Sequence, residues 1–408
     1  MNSNEQISSF KNHRELGKEM ELFVSLDVAP GAPVLLENGL IVYRQLSLMM
    51  EEFLGAVGGF YEVRSPALLK ASLWEQSGHL EKFSSEMFLF GQGGDQVGLK
   101  PMNCPVHMLL FGAQRRSYRE LPYRIHDKGI LHRNENSGAL VGLARLSQFH
   151  QDDSHIFVAP EQLESELQRC LWMIESVYQS FGFKFRACLS TRPEKFLGDL
   201  ALWERAESVL QDALNQRGIP FSVDEGGGAF YGPKIGIEII DSVGRWWQVA
   251  TAQVDFNLPE RFDLRFIDAS GEWRRPVVVH LALYGAIERF MAIWLEHTQG
   301  NLPMRLAPQQ VRVYPIADRH NAYAEEVRAA LRKSGIRAVI DNDRDTLSSR
   351  LRDGRRFRAP YSVVLGDNES ASRHVSVSRR GGEGQELVSL KRFVEECVVE
   401  GGMVIRAL

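Results

Sequence analysis

The sequence predicts an α+β domain built on an antiparallel sheet, followed by a smaller α/β domain. The first observation is a hairpin pattern in residues 131–158, where apolar and polar residues alternate on both sides of a glycine-containing loop. The second is the alternation of strand-like and helix-like segments from residue 311 onward, which is typical of a compact α/β domain. A proline-containing stretch separates the two patterns. We therefore expect a domain over residues 1–300, a linker over 301–310 and a second domain over 311–408.

The other elements follow from hydrophobic spacing and from glycine and proline stops. In the first domain they are a helix in 13–23, a helix in 43–57, a strand in 60–66, a loop around His79, a helix in 160–183, strands in 224–262 turning at Gly244, and a strand and helix in 276–296. In the second domain they are strands in 311–316, 336–341, 361–366 and 375–379, with helices in 321–334, ending at 350, and in 389–399.

The composition is that of an ordinary globular protein. Of its 408 residues, 44% are hydrophobic and 25% are charged, which argues against a disordered chain and allows two or three domains. No run reaches the roughly eighteen apolar residues of a membrane span, and the N-terminus has no apolar signal core. The four cysteines are too few and too scattered for a disulfide framework. We expect a cytoplasmic protein without a membrane partner.

The net charge of −4 conceals an asymmetry. From residue 310 onward, 18 Lys and Arg stand against 14 Asp and Glu. This basic C-terminal part permits a contact with nucleic acid. Its densest run, residues 350–358, is equally typical of a solvated helical face.

The hairpin pattern predicts one unusually polar face, and two interpretations stay open for it. The face is predicted to carry Arg133, Glu135, Arg145, Gln151, Asp153 and His155. An edge hairpin with a solvated face would look like this. A site for a polyanion would as well, because guanidinium groups bind phosphate and carboxylate in a fixed geometry.

The letters of this stretch also carry a resemblance. HRNENSGAL followed by RLSQFHQDDSHIF resembles motif 2 of the class II aminoacyl-tRNA synthetases, in the form found in threonyl-tRNA synthetases. The resemblance implies a class II antiparallel-sheet catalytic domain followed by an anticodon-binding α/β domain. HRELGKEMELF, residues 13–23, is similar to the segment that opens the catalytic domain of this family. Because Met1 lies only a dozen residues upstream, we expect a catalytic core without the N-terminal editing domain.

Two further stretches resemble the other class II motifs. The helix, glycine pair and strand of residues 43–66 resemble motif 1, which implies a homodimer; an ordinary helix–strand unit would show the same pattern. Residues 276–296 resemble motif 3, with a glycine expected to let nucleotide approach the start of a helix. The implied ATP-binding residues are Arg133, Glu135, Arg145, Phe149, Gln248 and Arg289, with Mg²⁺ completing the neutralisation of the phosphates.

Roles within this group also follow from the resemblance. Arg133 is expected on the α-phosphate, while Arg145 and Arg289 are expected on the outer phosphates and the adenine face. Arg133 and Arg289 are therefore predicted to be catalytic. The segment Ser77-Gly78-His79 matches one whose histidine passes the aminoacyl group to tRNA, although a lone loop histidine is more often a surface residue.

The resemblance also implies a metal site. LKPMNCPVHMLL is similar to the family segment whose cysteine binds zinc, and it implies Zn²⁺ on Cys104, His155 and His280. Such an ion would bind the amine and hydroxyl of L-threonine, which valine cannot supply. The implied threonine-binding residues are Met102, Gln151, Asp153, Tyr231, Thr251 and Gln253. Serine offers the same two groups, so we expect measurable seryl misacylation. Gly226–Gly228 can bring backbone close to a ligand, with Lys234 nearby.

Several positions depart from the family pattern. Val106, Leu131, Val249, Leu281 and Ala286 stand where the family usually has glycine, cysteine, cysteine, arginine and serine, and Ser378 stands where an anticodon-contacting arginine is usual. The leading expectation is ATP-dependent charging of tRNA(Thr) without editing in cis, by a specialised or inhibitor-insensitive second copy. The alternatives are a ligase charging another acceptor, such as a carrier protein, and a regulatory paralogue without catalysis.

Overall fold

The computed structural model describes residues 10–241, 244–402 and 405. The α-helices of these residues are α1 His13–Glu19, α2 Glu37–Val57, α3 Ala71–Gln76, α4 His79–Phe83, α5 Cys104–Gly112, α6 Leu163–Ser180, α7 Leu200–Arg217, α8 Asn257–Arg261, α9 Ile287–Thr298, α10 Asn321–Lys333, α11 Leu347–Gly354, α12 Asp367–Ser372 and α13 Leu390–Glu400. The strands are β1 Phe23–Val24, β2 Val34–Leu35, β3 Phe60–Val63, β4 Leu68–Lys70, β5 Leu89–Phe90, β6 Val97–Leu99, β7 Arg116–Ser117, β8 Tyr123–His132, β9 Gln148–Val158, β10 Arg186–Ser190, β11 Phe221–Asp224, β12 Lys234–Ile240, β13 Trp246–Asp255, β14 Phe266–Ile267, β15 Trp273–Arg274, β16 Val277–Ala282, β17 Val311–Pro315, β18 Ala338–Ile340, β19 Tyr361–Leu365, β20 His374–Arg379 and β21 Glu386–Ser389.

Contacts between Cα atoms divide the described residues into two compact units. The larger comprises the described residues of 27–32, 50–290 and 405, and the smaller those of 10–26, 33–49 and 291–402.

The larger unit is built on an eight-stranded sheet in the order β11-β10-β12-β13-β16-β9-β8-β3. Its strands pair in antiparallel fashion except at the two edges, where β10/β11 and β3/β8 are parallel. Helices α6 and α7 pack against the central strands. On α6 the buried residues Leu167, Leu171 and Ile174 recur at helical spacing, so one face of the helix is covered. The predicted antiparallel-sheet domain is confirmed.

The smaller unit contains a five-stranded sheet in the order β18-β17-β19-β20-β21. Its first three strands are parallel and the others antiparallel. Val311, Val313 and Val363 lie in its buried core, together with Val327 and Leu331 on α10. The predicted α/β domain is confirmed, and it contains two elements that the sequence pattern did not reveal, α12 and β21.

The predicted hairpin is present, but it is shifted toward the N-terminus. Strands β8 and β9 pair from Tyr123↔Phe157 to His132↔Gln148. The prediction of Arg133, Glu135 and Arg145 on strands is therefore wrong, because all three lie in the connection between β8 and β9. The connection contains turns of its own, and its start is also held by other residues, because the backbone N–H groups of Arg133 and Asn134 donate to the carbonyls of Ser147 and Glu86.

One further local prediction is wrong. His79 was expected in a loop, yet it is the first residue of a helix and is buried. Cys104 is likewise buried at the first position of a helix. Gly78 has a φ of +81° and precedes α4, and Pro105 suits the first turn of α5 because its missing N–H would be unpaired there. No helix among the described residues combines the length and apolar composition needed to cross a bilayer.

Candidate active site

Strands β9, β13 and β16 are neighbours in the large sheet, and together they carry much of the lining of a cavity of about 290 Å³. Because side chains alternate along a strand, the odd-numbered residues 149–155 of β9 all face this cavity. The predicted site residues that line it are Met102, Cys104, Arg133, Glu135, Phe149, Gln151, Asp153, His155, Tyr231, Gln248, Thr251, Gln253, His280 and Arg289. Arg145 and His79, both described, are not among the lining residues.

A β-bulge adds lining residues from β13. Gly236 pairs with Thr251 and Glu238 pairs with Gln248, so the register shifts between these two pairs. The extra residue in β13 lets Gln248 and Val249 line the cavity along with Thr251 and Gln253. The amide of Gln248 donates to the hydroxyl of Thr251 at 2.7 Å, which fixes both side chains.

Cys104, His155 and His280 come together in this cavity. Their candidate ligand atoms, one thiol sulfur and two imidazole nitrogens, all lie within 4.8 Å of one another. Zinc binds such donors at about 2.0–2.3 Å in tetrahedral geometry, so three donor atoms gathered in this way are candidates to share one ion. The cavity beside them leaves room for a further ligand. Sulfur and nitrogen donors of this kind fit Zn²⁺ and do not fit Mg²⁺ or Ca²⁺, which prefer oxygen.

Each of the two histidines has one nitrogen occupied by a neighbour. Nε2 of His280 lies 3.0 Å from Oδ2 of Asp255, and Nδ1 of His155 lies 2.7 Å from Nδ1 of His107. Asp255 is fixed in turn because its Oδ1 accepts from the backbone N–H groups of Asn257 and Leu258. By elimination, His280 can bind a metal through Nδ1 and His155 through Nε2.

Two arginines line the same cavity. Nε of Arg133 donates to the carbonyl of Pro101 at 3.3 Å, and its guanidinium carbon lies 5.2 Å from the ring centre of Phe149. Arg289 donates to the carbonyls of Ala144 and Gln248 at 2.7 and 3.0 Å. Burial lowers the pKa of Arg133. Burial also lowers the pKa of Arg289 to about 10, so Arg289 remains charged at neutral pH. Phe149, one of the implied ATP-binding residues, is thus already in contact with Arg133.

Arg145 and Glu135 form an ion pair with each other. Nε and Nη2 of Arg145 lie 3.0 and 2.9 Å from Oε2 of Glu135, and almost half of the Arg145 side chain is exposed. Each was expected to contact ATP, so nucleotide binding would require this pair to loosen or rearrange.

Two of the side chains predicted to bind threonine, those of Asp153 and Gln253, are held by hydrogen bonds. Asp153 accepts from the amide of Asn103 at 3.0 Å, and Gln253 donates to the carbonyl of Gly232 at 2.7 Å. Burial raises the pKa of Asp153, while the neighbouring His107 and Asn103 act in the opposite direction. The Tyr231 ring centre lies 5.1 Å from that of His280.

His79 does not line the cavity but contacts a residue that does. Its Nδ1 lies 2.8 Å from the Ser77 hydroxyl, and its Nε2 lies 3.3 Å from the sulfur of Met102, which does line the cavity. Burial lowers the pKa of His79 to about 3, with the charge of Arg133 acting in the same direction. The imidazole is therefore neutral at pH 7, and its role in transfer to tRNA stays a prediction.

Two of the glycines predicted to admit a ligand lie close to backbone, and one of them, Gly285, also lines the cavity. Gly285 has a φ of +70°, and a Cβ there would lie 2.1 Å from the carbonyl oxygen of Val249. A Cβ on Gly228 would lie 2.5 Å from the carbonyl of Thr191. Asp152, which the sequence did not single out, holds the segment before α9 by accepting from the backbone N–H groups of Leu283 and Tyr284. A buried carboxylate such as Asp152 carries no local sequence signal, since its partners are backbone groups far away in the chain.

The basic run 350–358 is not a uniformly solvated face. Arg350 is buried and donates to the carbonyls of Asp341 and Pro315. Arg355 and Arg358 line a cavity of about 490 Å³ in the smaller unit. Other residues lining that cavity include Arg312, Ser378, Arg379 and Arg380.

Comparisons with known proteins agree with this geometry. Residues 88–298 match the family described as the class II core domain of tRNA synthetases (G, H, P, S and T), and residues 310–400 match the anticodon binding domain. A threonine–tRNA ligase of Natranaerobius thermophilus is 42% identical over 391 residues, which make up 96% of this chain and 61% of the relative. Threonine–tRNA ligase 2 of Bacillus subtilis is 43% identical over 388 residues, or 95% of this chain and 61% of the relative.

The chain thus spans about 61% of the length of these curated relatives. Among solved structures, the RNA binding domain of threonyl-tRNA synthetase from Cryptosporidium parvum matches with a TM-score of 0.91 and 37% identity. That match covers 97% of this chain and 99% of the other. On these grounds the chain belongs to the class II tRNA synthetases, among the threonyl-tRNA synthetases.

Proposed function

We propose that this chain is a threonine–tRNA ligase, which activates L-threonine with ATP and passes the threonyl group to tRNA(Thr). The observation that carries the proposal is the content of one cavity, where a thiol and two imidazoles lie together with Asp153 and the guanidinium groups of Arg133 and Arg289. Family membership and the relatives' names support the same activity.

The first half-reaction explains the need for fixed cations. A carboxylate oxygen of threonine forms a bond to the α-phosphorus of ATP, the bond from that phosphorus to the bridging oxygen breaks, and pyrophosphate leaves. Negative charge builds on phosphate oxygens in the transition state, so positive groups held in place beforehand lower the barrier. Arg133 and Arg289 are held by carbonyl groups, and Mg²⁺ bound with ATP would complete the neutralisation.

Recognition of threonine would depend on the metal-ligand cluster. Cys104, His155 and His280 would hold Zn²⁺, and the ion would bind the amine and hydroxyl of the amino acid as a Lewis acid. Asp153 and Gln253 would orient these groups, because their side chains line the cavity and are fixed by Asn103 and the carbonyl of Gly232. A valine side chain would leave these polar groups unpaired, which is the strongest available basis for rejecting it.

Binding of tRNA is proposed for the smaller unit. The arginines around its cavity offer charged and planar donors for phosphate and bases. Ser378 at this cavity is too short to replace an arginine, so we expect anticodon reading by this chain to differ in detail from that of its relatives.

A homodimer is proposed through the segment that resembles motif 1. Strand β3 is an edge of the large sheet, and 58% of Tyr61 on this strand is exposed. An exposed edge with an aromatic residue favours pairing with a second copy. Sedimentation velocity would test this: the wild-type chain is expected to be a dimer and Tyr61→Glu a weaker one, whereas a monomeric wild type overturns the proposal.

One pair of assays tests the activity. Exchange of pyrophosphate into ATP that depends on threonine, followed by transfer to tRNA(Thr), is the expected result. Exchange without transfer would favour a ligase that charges another acceptor, such as a carrier protein. Absence of exchange in protein loaded with zinc would favour a regulatory role without catalysis.

We further propose that the pocket is altered toward insensitivity to an inhibitor of the usual enzyme. Val249, Leu281 and Ala286, three of the departures from the family pattern, line the cavity. Leu131, a fourth, lies in one apolar cluster with Phe149 and Ala286. The back-substitutions Leu281→Arg and Ala286→Ser should lower the half-inhibitory concentration of a ligand that inhibits a standard family member at its active site. If that ligand inhibited the wild-type chain and the standard family member equally, the proposal would be wrong.

A further inference from the structure

His107 contacts a proposed metal ligand although it does not line the cavity. It is completely buried, and its Nδ1 lies 2.7 Å from Nδ1 of His155. The two rings meet edge to face with their centres 4.7 Å apart. Two imidazole nitrogens at this distance form a hydrogen bond only when one of them carries a proton and the other does not.

The direction of this hydrogen bond decides whether His155 can bind a metal. If Nδ1 of His155 carries the proton, Nε2 of the neutral ring is a free lone pair, available to an ion. If His107 donates instead, Nδ1 of His155 is the acceptor and the proton of the neutral ring is on Nε2. A protonated nitrogen cannot coordinate zinc, so only the first arrangement suits a metal site.

The surroundings of His107 favour the first arrangement. Its Nε2 has no hydrogen-bond partner among the described residues, and it lies 3.7 Å from Oδ2 of Asp127. A carboxylate at this distance attracts a protonated Nε2 and repels a lone pair. A proton on Nε2 leaves Nδ1 of the neutral His107 ring as the acceptor for His155.

Asp127 itself is firmly held as an anion. Its Oδ2 accepts from the backbone N–H of Ser65 at 3.2 Å and also from the Ser65 hydroxyl. The ammonium group of Lys100 lies 3.6 Å from the same oxygen and donates to the Ser65 hydroxyl. Lys100 is also completely buried, so an ammonium group and a carboxylate lie together behind His107.

We propose that His107, oriented by Asp127, is a positioning residue that keeps His155 in the tautomer able to bind a metal through Nε2. This inference rests on the proposed zinc site and deepens it. Asp255 would keep the proton of His280 on Nε2, so that Nδ1 could bind the metal. Two separate carboxylates would then set the tautomers of the two histidine ligands. The pattern of a ligand histidine that donates its other N–H is general in zinc proteins.

A matched set of substitutions tests the proposal in the full chain. His107→Phe keeps the ring volume and removes the acceptor, whereas His107→Asn places an amide oxygen close to the position of Nδ1. The control is His126→Phe, since His126 is also buried but bonds to the hydroxyl of Ser154 and not to a ligand. The readouts are the dissociation constant of Zn²⁺, measured by competition with a chromophoric chelator, and the visible absorption of Co²⁺ bound in place of zinc.

The expected results are specific to positioning. His107→Phe should weaken Zn²⁺ binding by roughly 10- to 100-fold and alter the Co²⁺ bands, whereas His107→Asn should recover most of the affinity. His126→Phe should leave both readouts near those of the wild type. Equal Zn²⁺ affinity and unchanged Co²⁺ bands in His107→Phe would overturn the proposal, and so would a loss of the same size in His107→Asn.

A second measurement does not depend on whether the variants fold. In the zinc-loaded wild-type chain with ¹⁵N-labelled histidine, one ring should show a protonated Nδ1 hydrogen-bonded to another imidazole and a metal-bound Nε2. A His155 signal with metal on Nδ1 would overturn the positioning role while leaving the zinc site intact. A wild-type chain that binds no zinc would remove the proposed zinc site itself, so the two failures are distinguishable.

Discussion

His155 and His280 are direct partners across adjacent antiparallel strands, and their ring centres lie 4.5 Å apart. The pairing of β9 with β16 brings together two residues that are far apart in the sequence. Cys104 joins them from the first turn of α5. Since a shift of one residue in strand register turns every side chain to the opposite face, the register of this sheet is a condition for the proposed metal site.

The first prediction concerns metal content. Cys104→Ser should lose most of its zinc on dialysis against a mild chelator, because a serine hydroxyl is a much poorer zinc ligand than a thiolate. Zinc per chain, measured by atomic emission, would show the difference. Cys188→Ser is the matched control, since Cys188 is a free cysteine outside the cluster, and it should retain zinc like the wild type. Equal retention by both variants would exclude Cys104 as a ligand.

The second prediction compares two arginines. Arg133→Lys keeps a positive charge but loses the planar guanidinium group, which can donate two parallel hydrogen bonds. It should lower the rate of threonine-dependent pyrophosphate exchange roughly 100- to 1,000-fold. Arg145→Lys should cost clearly less, because Arg145 is half-exposed and pairs with Glu135. Exchange rates at saturating ATP and threonine give the comparison. Equal losses in the two variants would contradict the central role assigned to Arg133.

The metal cluster also shows where sequence reasoning succeeds and where it stops. Fold class and the presence of most motif residues in one cavity were predictable, because strand alternation and the family motifs fix which side chains share a face. The strand ends were not: Arg133, Glu135 and Arg145 were assigned to strands, although the ladder ends at His132 and they lie in the connection. Pattern alone cannot distinguish a strand from an extended connection that forms its own turns.

The residues that contact the proposed metal ligands from behind could not be predicted from the sequence. Nothing in the letters around His107 or Asp127 predicts that they lie behind His155, since the contact joins α5, β8 and β9. Burial of His79 was missed for a similar reason, because its packing against Phe230 comes from a distant segment. Long-range packing of polar groups is set by the fold as a whole, whereas local patterns report only on neighbours in sequence.

The third prediction concerns substrate choice. Serine should support pyrophosphate exchange with a kcat/KM roughly 10- to 200-fold below that of threonine, because one methyl group is worth only about 1–3 kcal/mol. Valine should fall roughly 10⁴-fold or more below threonine, because it leaves Asp153, Gln253 and the metal without a hydroxyl partner. Serine and valine are each compared with threonine on the same protein, so each comparison serves as a control for the other. Valine that reacts as well as serine would show that no polar recognition of the hydroxyl takes place.

The fourth prediction is a loss of stability in mild acid. Burial, together with the nearby charge of Lys128, lowers the pKa of His126 to about 4, whereas the unfolded value is about 6.5. Between these two pKa values the unfolded chain binds a proton that the folded chain does not, so the free energy of unfolding falls as the pH decreases through this range. From pH 7 to pH 5 this one histidine should remove about 2 kcal/mol, read from urea unfolding curves at the two pH values.

Two substitutions separate the charge effect from the loss of a hydrogen bond. His126→Gln is neutral at both pH values, so its stability should depend on pH by about 2 kcal/mol less than that of the wild type. Ser154→Ala removes the hydroxyl 3.0 Å from Nδ1 of His126 and leaves the imidazole in place. It should lower stability at both pH values and keep the full acid dependence. If His126→Gln and Ser154→Ala instead showed the same dependence on pH, protonation of His126 would not be the cause of the acid sensitivity.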